Sequence, residues 1–422
     1  MPLDPYWRLI RGNRNFRRLW FAQIVSELGD WFYSLSIYNL LLELTGSAAA
    51  VALAVVLQVL PLTFAGPTAG VVNDRASRKR VMIAADLARA ALVLCMLLVR
   101  SRSTLWLVWP LLTLESVMAA FFEPARNAAV PNITDADGLM TANTLSSTTW
   151  SFNLAVGATL GGVVAALLGR DAVFLINAGS FVISALFIAG MRFDEPHLEG
   201  LPALRARDLA DFSPVADGVR YIVRDRRILA TVMVKFGLGL LGSNNVLLPI
   251  LGERVFPVQG GGLDPRRGAM LGMSLLMGAR GVGSLLGPFA AAGWSGQRED
   301  RLRLGILAGF LAAALGYVAL GFAGSTWAAM ALVIMAHAGS SSVWVFSTTL
   351  LQIYTGDKFR GRVFAADVGL LTLTLAISSY VAGAAIDLGL PVRTFVTITG
   401  FVMLAPALGW AATLRGKWFR DA

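Results

Sequence analysis

Residues 49–80 read AAVALAVVLQVLPLTFAGPTAGVVNDRASRKR. Residues 49–72 carry no charge, and about 20 apolar residues suffice for a helix to cross a bilayer. The next eight, 73–80, hold four basic residues. An apolar block that stops at a basic cluster reads as a membrane span followed by a loop held on one side. Eleven more blocks follow the same logic, near 19–43, 81–99, 104–123, 144–168, 172–191, 229–252, 268–291, 304–323, 327–350, 363–385 and 392–414. The sequence therefore predicts an all-α membrane protein of twelve transmembrane helices. Spans 7 and 8 have the least definite ends, because the loop between them (GERVFPVQGGGLDPRRG) is glycine-rich.

Composition agrees. The 422 residues are 56% hydrophobic and 15% charged, with a mean hydropathy of +0.65. A soluble chain carries about a quarter charged residues, so there is too little polar surface here to cover a water-soluble globule. The net charge of +10 would raise nucleic acid as a partner of a soluble protein. Here the basic residues sit in short loops between apolar blocks, and no nucleic-acid partner is expected. Cys95 stands alone, and His197 and His337 are too few and too far apart for a metal motif. No cofactor or metal is expected. No Walker-type loop, nucleophile elbow or paired catalytic motif occurs, which argues against an enzyme and against direct ATP hydrolysis. The basic N-terminus lacks a signal-cleavage pattern and reads as a cytoplasmic lead-in.

Charge also orients the spans. With the N-terminus inside, the inner segments hold 26 Lys and Arg and the outer side 7, counting Arg393 at the outer end of the last span, while Arg89, Lys235 and Arg280 lie deeper within helices. This bias predicts an inner (plasma) membrane protein with both termini cytoplasmic. The long connection at 192–228 divides the chain into a six-helix bundle at 1–191 and another at 229–422. Within it, Ser213-Pro214 resembles a helix start. An amphipathic helix of about three turns is expected there, with Tyr221 and Ile222 inward and Arg220, Arg224 and Arg227 toward lipid headgroups. It reads as a tether between bundles; a regulatory latch is the sharper alternative.

The halves share a spacing. Gly70, Arg75, Arg78 and Arg80 recur as Gly293, Arg298, Arg301 and Arg303, each 223 residues on, and Gly138 recurs as Gly361. Together these support duplication of a six-helix unit, an architecture that binds substrate between its halves near the midplane.

The Gly70-to-Arg80 segment resembles the loop signature of the major facilitator superfamily. There a Gly, an Asp one turn later and a basic cluster join helices 2 and 3. Ser77 stands where that signature has Gly, a departure expected to loosen the turn. NRNFRRLW at 13–20, Ser26-Glu-Leu-Gly29-Asp30, TGSAAA at 45–50, Phe121 to Arg126, and Leu351-Gln352 with Arg360-Gly361-Arg362-Val363 resemble the branch of macrolide-efflux and enterobactin-export proteins. The resemblance implies a cytoplasmic gate of Gly70, Asp74, Arg75, Arg78, Lys79, Arg80, Arg126 and Asp367. Physically, Asp74 is suited to accept hydrogen bonds from a helix N-terminus, and the start of helix 11, read as Val363 to Asp367, is its natural neighbour. The plain alternative is a cluster that only fixes topology. A helix-5 glycine motif is partly kept in Gly157, Gly161 and Gly162. Ala158 replaces the Pro of the antiport-associated signature, so the kink is lost while close packing is still allowed.

Charges at membrane depth need a partner or a purpose. Gln23, Glu27, Asp30, Ser34 and Tyr38 recur every three or four residues and share one helical face. Asp30 lies about 16 Å into its helix at the helical rise, near the midplane. Glu115 and His337 are similarly deep. The resemblance places helices 1, 4, 7 and 10 around a central cavity, so these residues would face substrate and water. A carboxylic acid in such a cavity is suited to exchange a proton, and Asp30, Glu27 and Glu115 are the candidates for proton coupling. The cavity candidates are Gln23, Ser34, Tyr38, Asn244, Asn245, Arg280 and His337, with Trp31, Tyr33 and Phe152 available to stack on a cargo ring. Static pairs such as Asp30 with Arg89, or Glu115 with Arg280, are the plain alternative. Arg89 is expected to pair with Asp86 on its own helix, and Lys235 to snorkel to the inner surface.

These features predict a secondary transporter that works as a monomer in membrane lipid, with a small molecule and protons as partners. The favoured function is proton-coupled efflux of an amphiphilic compound such as a drug, macrolide or siderophore. An importer or lysolipid flippase of the same fold is the alternative. A membrane sensor or a polytopic enzyme is the reading from another class.

Overall fold

In the computed structural model the described residues are 4–134, 136–195, 198, 213–259, 264–295 and 298–415, and they are helical throughout apart from short turns. The short α1 (Asp4–Gly12) leads into α2 (Arg14–Thr45), α3 (Ala48–Arg75), α4 (Arg78–Cys95), α5 (Val108–Ile133), α6 (Ala136–Leu168) and α7 (Arg170–Ala189). After the central connection come α8 (Ser213–Arg224), α9 (Arg226–Leu240), α10 (Asn244–Arg254), α11 (Pro265–Ser295), α12 (Glu299–Leu320), α13 (Thr326–Tyr354), α14 (Asp357–Asp387), α15 (Val392–Val402) and α16 (Leu404–Arg415). His197 and residues 199–212 of the central connection lie outside the described residues.

Eleven spans among the described residues are long and apolar enough to cross a membrane. Two of them are broken helices: α9 and α10 meet at a 3-10 turn, Leu241–Ser243, and α15 runs into α16. The remaining expected span is α2. Its 32 residues extend about 48 Å, ample for a bilayer, but its polar stripe keeps it out of the eleven. Several helices outrun their predicted ends, since a helix continues through interfacial polar residues once its backbone bonds are formed. Thus α5 runs through Pro124 and Pro131 to Ile133, and α14 begins at Asp357 rather than Val363.

Local chemistry sets the breaks between helices. Gly169 (φ +84°) separates α6 from α7, and Gly389 (φ +97°) separates α14 from α15; both adopt a left-handed backbone that only glycine takes without strain. Asp225 caps α9 by accepting from the Arg227 and Ile228 amides at 2.8 and 3.4 Å. Ser325 caps α13 through the Ala328 amide. The duplication is visible in the helix starts. Helices α4, α6 and α7 begin at 78, 136 and 170, and α12, α14 and α15 at 299, 357 and 392, giving separations of 221, 221 and 222 residues. The loop motifs repeat at 223, two residues off this register.

The chain forms two compact units. One comprises Met1–Thr45 and Leu57–Asp211, the other Gly46–Val56 and Phe212–Ala422. The first turns of α3 thus group with the second unit, as does α8. In α8 the expected orientation holds for four of the five named residues. Ile222 is buried in an apolar cluster with Ile228, Val232, Leu351 and Val363, Tyr221 stacks on Phe359, and Arg220 and Arg224 are exposed. Arg227 departs from the expectation: it lies in α9, over the Tyr354 ring.

Candidate functional site

The first unit concentrates its buried charge around α2. Asp30 faces Arg89 of α4, with the guanidinium 3.8 Å from its carboxylate. Arg89 is held more firmly by others. It pairs with Asp86 one turn earlier on its own helix, and its plane lies over Phe122 and Phe181, with ring centroids 4.7 and 4.2 Å away. Asp86 in turn accepts a 2.6 Å hydrogen bond from Ser184 on α7. Asp30 is therefore the loosest member of the cluster, and its Oδ1 is buried without a hydrogen-bond partner. Of the two static expectations for Arg89, the local pair with Asp86 is met in full, and the pair with Asp30 is present but long.

Glu27, one turn before Asp30, belongs to a second network. Its carboxylate accepts from Gln23 at 2.8 Å, Asn153 at 2.9 Å and Arg126 at 3.3 Å. Gln23 also donates to the Ser146 carbonyl of α6, and Arg126 pairs with Glu123 at 2.8 Å. A third polar chain is neutral. Tyr38 donates to Gln58 of α3 at 2.7 Å, Gln58 reaches Ser34 at 3.4 Å, and Ser116 donates to the Gln58 carbonyl. Glu115 is buried on α5. The single face read from the spacing of α2 thus resolves into three adjacent networks with different partners.

In the second unit Arg280 donates to Asn245 Oδ1 at 2.6 Å. Asn244 and Asn245 also donate to the carbonyls of Leu241 and Gly242, the turn that breaks α9 from α10. His337 Nε2 lies 3.0 Å from the Tyr317 hydroxyl. Lys235 does not snorkel, contrary to expectation. It is 1% exposed, because α14 supplies a counter-charge at depth: Asp367 lies 3.7 Å from its ammonium.

The loop after α3 is stitched within the first unit. Glu195 accepts from Ser77 Oγ and the Arg78 amide, each at 2.6 Å, Arg78 donates to the Ala128 carbonyl at 2.9 Å, and Lys79 to the Met191 carbonyl at 2.7 Å. Ser77 does not loosen this turn. Its φ of −63° needs no glycine, and its side chain caps α4. Gly70 has open space around it, Arg80 is exposed, and Arg75 ends α3. The side chain of Asp74 lies outside the described residues. Two residues grouped with the gate are engaged elsewhere, Arg126 with Glu27 and Asp367 with Lys235. Asp367 sits in the third turn of α14, not at its start.

Glycines bring α6 against α2: a Cβ on Gly157 would lie 2.9 Å from Trp31 Cβ, and one on Gly161 2.7 Å from Phe32 Cα. Gly162 follows in the same helix, and α6 is unbroken across Ala158. Of the aromatics offered for stacking, Tyr33 is core, packed edge-on against Phe174. Trp31 meets Trp150, and Phe152 is exposed. Sequence reasoning missed Gln58, Asn153, Ser184 and Glu195. The first three carried a usable signal, since each is a polar residue inside an apolar run.

Buried, paired charges on a bundle of helices long and apolar enough to cross a membrane mark a polytopic membrane protein with a polar interior. The Major Facilitator Superfamily profile matches residues 19–367. The chain belongs to that superfamily of secondary transporters, which take small-molecule substrates and are not enzymes. It is 27% identical over 378 residues to "Uncharacterized MFS-type transporter YfiS" of Bacillus subtilis (strain 168), covering 86% of this chain and 85% of that protein. It is 30% identical over 188 residues to "Macrolide efflux protein A" of Streptococcus pyogenes, covering 44% of this chain and 45% of the relative. The fold matches a crystal structure of a POT family transporter in complex with thioalcohol conjugated peptide, with a TM-score of 0.75, 12% identity, and coverage of 96% and 97% of the two chains.

Proposed function

We propose that this protein exports an amphiphilic small molecule in exchange for protons, with Asp30 as the principal proton carrier and Glu27 and Glu115 as supporting acids. The observation that carries this reading is the looseness of Asp30. A static pair on the buried Arg89 is stable only when its charges are well matched and hydrogen-bonded, and the Asp30 side chain is 37% exposed. Here Arg89 has a closer carboxylate in Asp86 and two aromatic faces, while Asp30 keeps one bare oxygen. Adding a proton to Asp30 leaves the Arg89–Asp86 pair intact, so the acid is free to titrate without dismantling the core around it. Gln23, Ser34, Tyr38, Asn244, Asn245, Arg280 and His337 supply polar contacts for cargo. The positive-inside bias of the loops supports cytoplasmic termini, and the loop of Gly70 to Arg80 supports a cytoplasmic gate. Efflux as the direction draws on the macrolide-efflux relative.

The test is proton release from purified protein in weak buffer on adding erythromycin. Wild type is expected to release protons, Asp30→Asn to release none, and Glu115→Gln to release fewer. Efflux from energised vesicles that continues unchanged after an uncoupler collapses the proton gradient would overturn the coupling.

A further inference from the structure

We propose that the Lys235–Asp367 pair is a second proton-binding centre, built into the second unit between α9, α13 and α14. The inference rests on the proton-driven reading above and extends it to residues that the reading does not use.

The pair is deeply placed and unevenly held. Both residues are 1% exposed. The Lys235 ammonium donates to Thr348 Oγ1 at 3.0 Å and lies 3.4 Å from the centroid of the Trp344 ring. It is thus anchored to α13 by a hydroxyl and an aromatic face. Asp367 has no such support. Its contact with Lys235 is 3.7 Å, beyond hydrogen-bond reach, and neither carboxylate oxygen has a hydrogen-bond partner. A buried carboxylate with no donor is costly, so a purely structural pair gains little from this arrangement. A carboxylate that must take up and release a proton benefits from having no competing donors.

The surroundings suit controlled access. One helical turn from the pair stands the apolar cluster of Ile222, Ile228, Val232, Leu351 and Val363. Val232 precedes Lys235 on α9, Val363 precedes Asp367 on α14, and Leu351 follows Thr348 on α13. The cluster therefore forms an apolar seal on that side. On the other side, α9 ends at the 3-10 turn Leu241–Ser243. Carbonyls at this break also accept from α14: Ser378 donates to Gly239 O at 2.8 Å and Ser379 to Gly242 O at 2.9 Å. The α9–α14 contact is thus pinned at the helix break, while the charge pair itself is held at 3.7 Å.

The charged groups on the elements packed against the pair are engaged elsewhere or exposed: His337 of α13 lies at Tyr317 and Arg362 of α14 over Phe359. Asp367 is the charged group acting on Lys235, and Lys235 the one acting on Asp367. Beyond the seal, Arg227, Arg303 and Glu299 gather at Tyr354, near the end of α13. Arg220 and Arg224 of α8 and Arg415 of α16 are exposed. Glu253 and Arg254 of α10 pair with each other, and Arg393 of α15 binds the carbonyls of Gly321 and Ala323. The proton balance is simple. The ionised pair is neutral; one proton added to an Asp367 oxygen leaves a net charge of +1 on Lys235, and the same proton leaves from that oxygen on the opposite side.

The experiment combines a cargo-free and a cargo-dependent readout on full-length protein. Infrared titration of the protonated-carboxyl band in proteoliposomes, between about pH 5 and 8, is expected to show a titrating carboxyl that Asp367→Asn removes. In the same vesicles, radiolabelled erythromycin is followed by counterflow exchange without a gradient and by accumulation under an imposed pH gradient. Asp367→Asn and the neutral double variant Lys235→Met/Asp367→Asn are expected to keep exchange within about two-fold of wild type and to lose about ten-fold or more of the accumulation. If the double variant instead recovers gradient-driven accumulation, or if no carboxyl band is lost in Asp367→Asn, the pair is structural and the proposal is overturned. A wild type that exchanges erythromycin but ignores the pH gradient overturns the proton-driven function itself. A wild type that carries no erythromycin refutes that cargo alone, and the infrared titration then decides Asp367.

Discussion

Replacing Arg126 with methionine should destabilise the first unit more than any other single change in the Glu27 network. Arg126 Nη1 lies 3.3 Å from Glu27 Oε1. At the effective dielectric of about 20 that suits protein ion pairs, that separation corresponds to about 5 kcal/mol of gross attraction. Glu27 keeps two donors without Arg126, Gln23 and Asn153, which offset part of the loss. Breaking a buried pair costs about 3–5 kcal/mol when one charge is left behind, and the remaining donors place Arg126→Met near the lower end, about 3 kcal/mol. Glu27→Gln/Arg126→Met removes the stranded charge and keeps an acceptor for one of the donors. Its expected loss is about 1 kcal/mol, about 2 kcal/mol less than that of Arg126→Met alone, and Glu27→Gln, in which Arg126 keeps Glu123, completes the cycle. Unfolding by SDS titration in mixed micelles at neutral pH, read by tryptophan fluorescence, measures all four corners. If the double variant is no more stable than Arg126→Met, then Arg126 does not act by neutralising Glu27. Its pairing with Glu123, or its packing, would then carry the effect.

Gly161→Ala should cost about 1–3 kcal/mol in the same assay, because its Cβ would meet backbone at Phe32 Cα. Gly70→Ala, with nothing near its Cβ, should be neutral or stabilising by up to about 1 kcal/mol. Ser77→Ala should lose about 1 kcal/mol by uncapping α4 and releasing Glu195; Ser77→Gly should lose only a few tenths in capping, with thermal unfolding ranking the two. Asp387 accepts from Ser47 Oγ and the Ala48 and Ala49 amides at 2.5, 2.7 and 2.9 Å, so Asp387→Ala should speed hydrogen exchange at those amides by about ten-fold, the equivalent of about 1.4 kcal/mol.

What was legible in the sequence was whatever depends on runs and short spacings. Apolar blocks located the spans, and the three-residue spacing of Asp86 and Arg89 announced their pair. Helix ends were less legible, because polar residues in the interfacial turns resemble loops. The Lys358–Arg362 cluster was read as an inner loop, yet α14 already runs through it. That shift moved Asp367 from a helix start into the third turn, and with it changed the partner available to it. Lys235 shows the same limit from the other side. Its depth suggested snorkelling, while the deciding fact, an acid 132 residues away on α14, has no trace in local spacing. Asp30 with Arg89 is again a long-range pair, and spacing on α2 alone supplied the face without its three separate sets of partners.

The two units meet one electrostatic problem with one arrangement, built on different spans. In each, a buried cation is anchored by an aromatic face and a second polar partner: Arg89 by Phe122, Phe181 and Asp86, Lys235 by Trp344 and Thr348. In each, the remaining carboxylate is held at long range, 3.8 Å for Asp30 and 3.7 Å for Asp367, with an oxygen lacking any donor. Duplication does not account for the likeness. The acid of the first unit is on its first span and the base on its third, whereas the base of the second unit is on its first span and the acid on its fifth. A device inherited with the repeat would occupy matching spans. The shared element is instead chemical: a cation fixed well enough to stay in place whether or not its carboxylate is charged. On the proton-driven reading proposed above, that independence would let a carboxylate gain and lose a proton inside a low-dielectric bundle, since the cost of each protonation change would fall on one loose group and not on the packing of the helices around it.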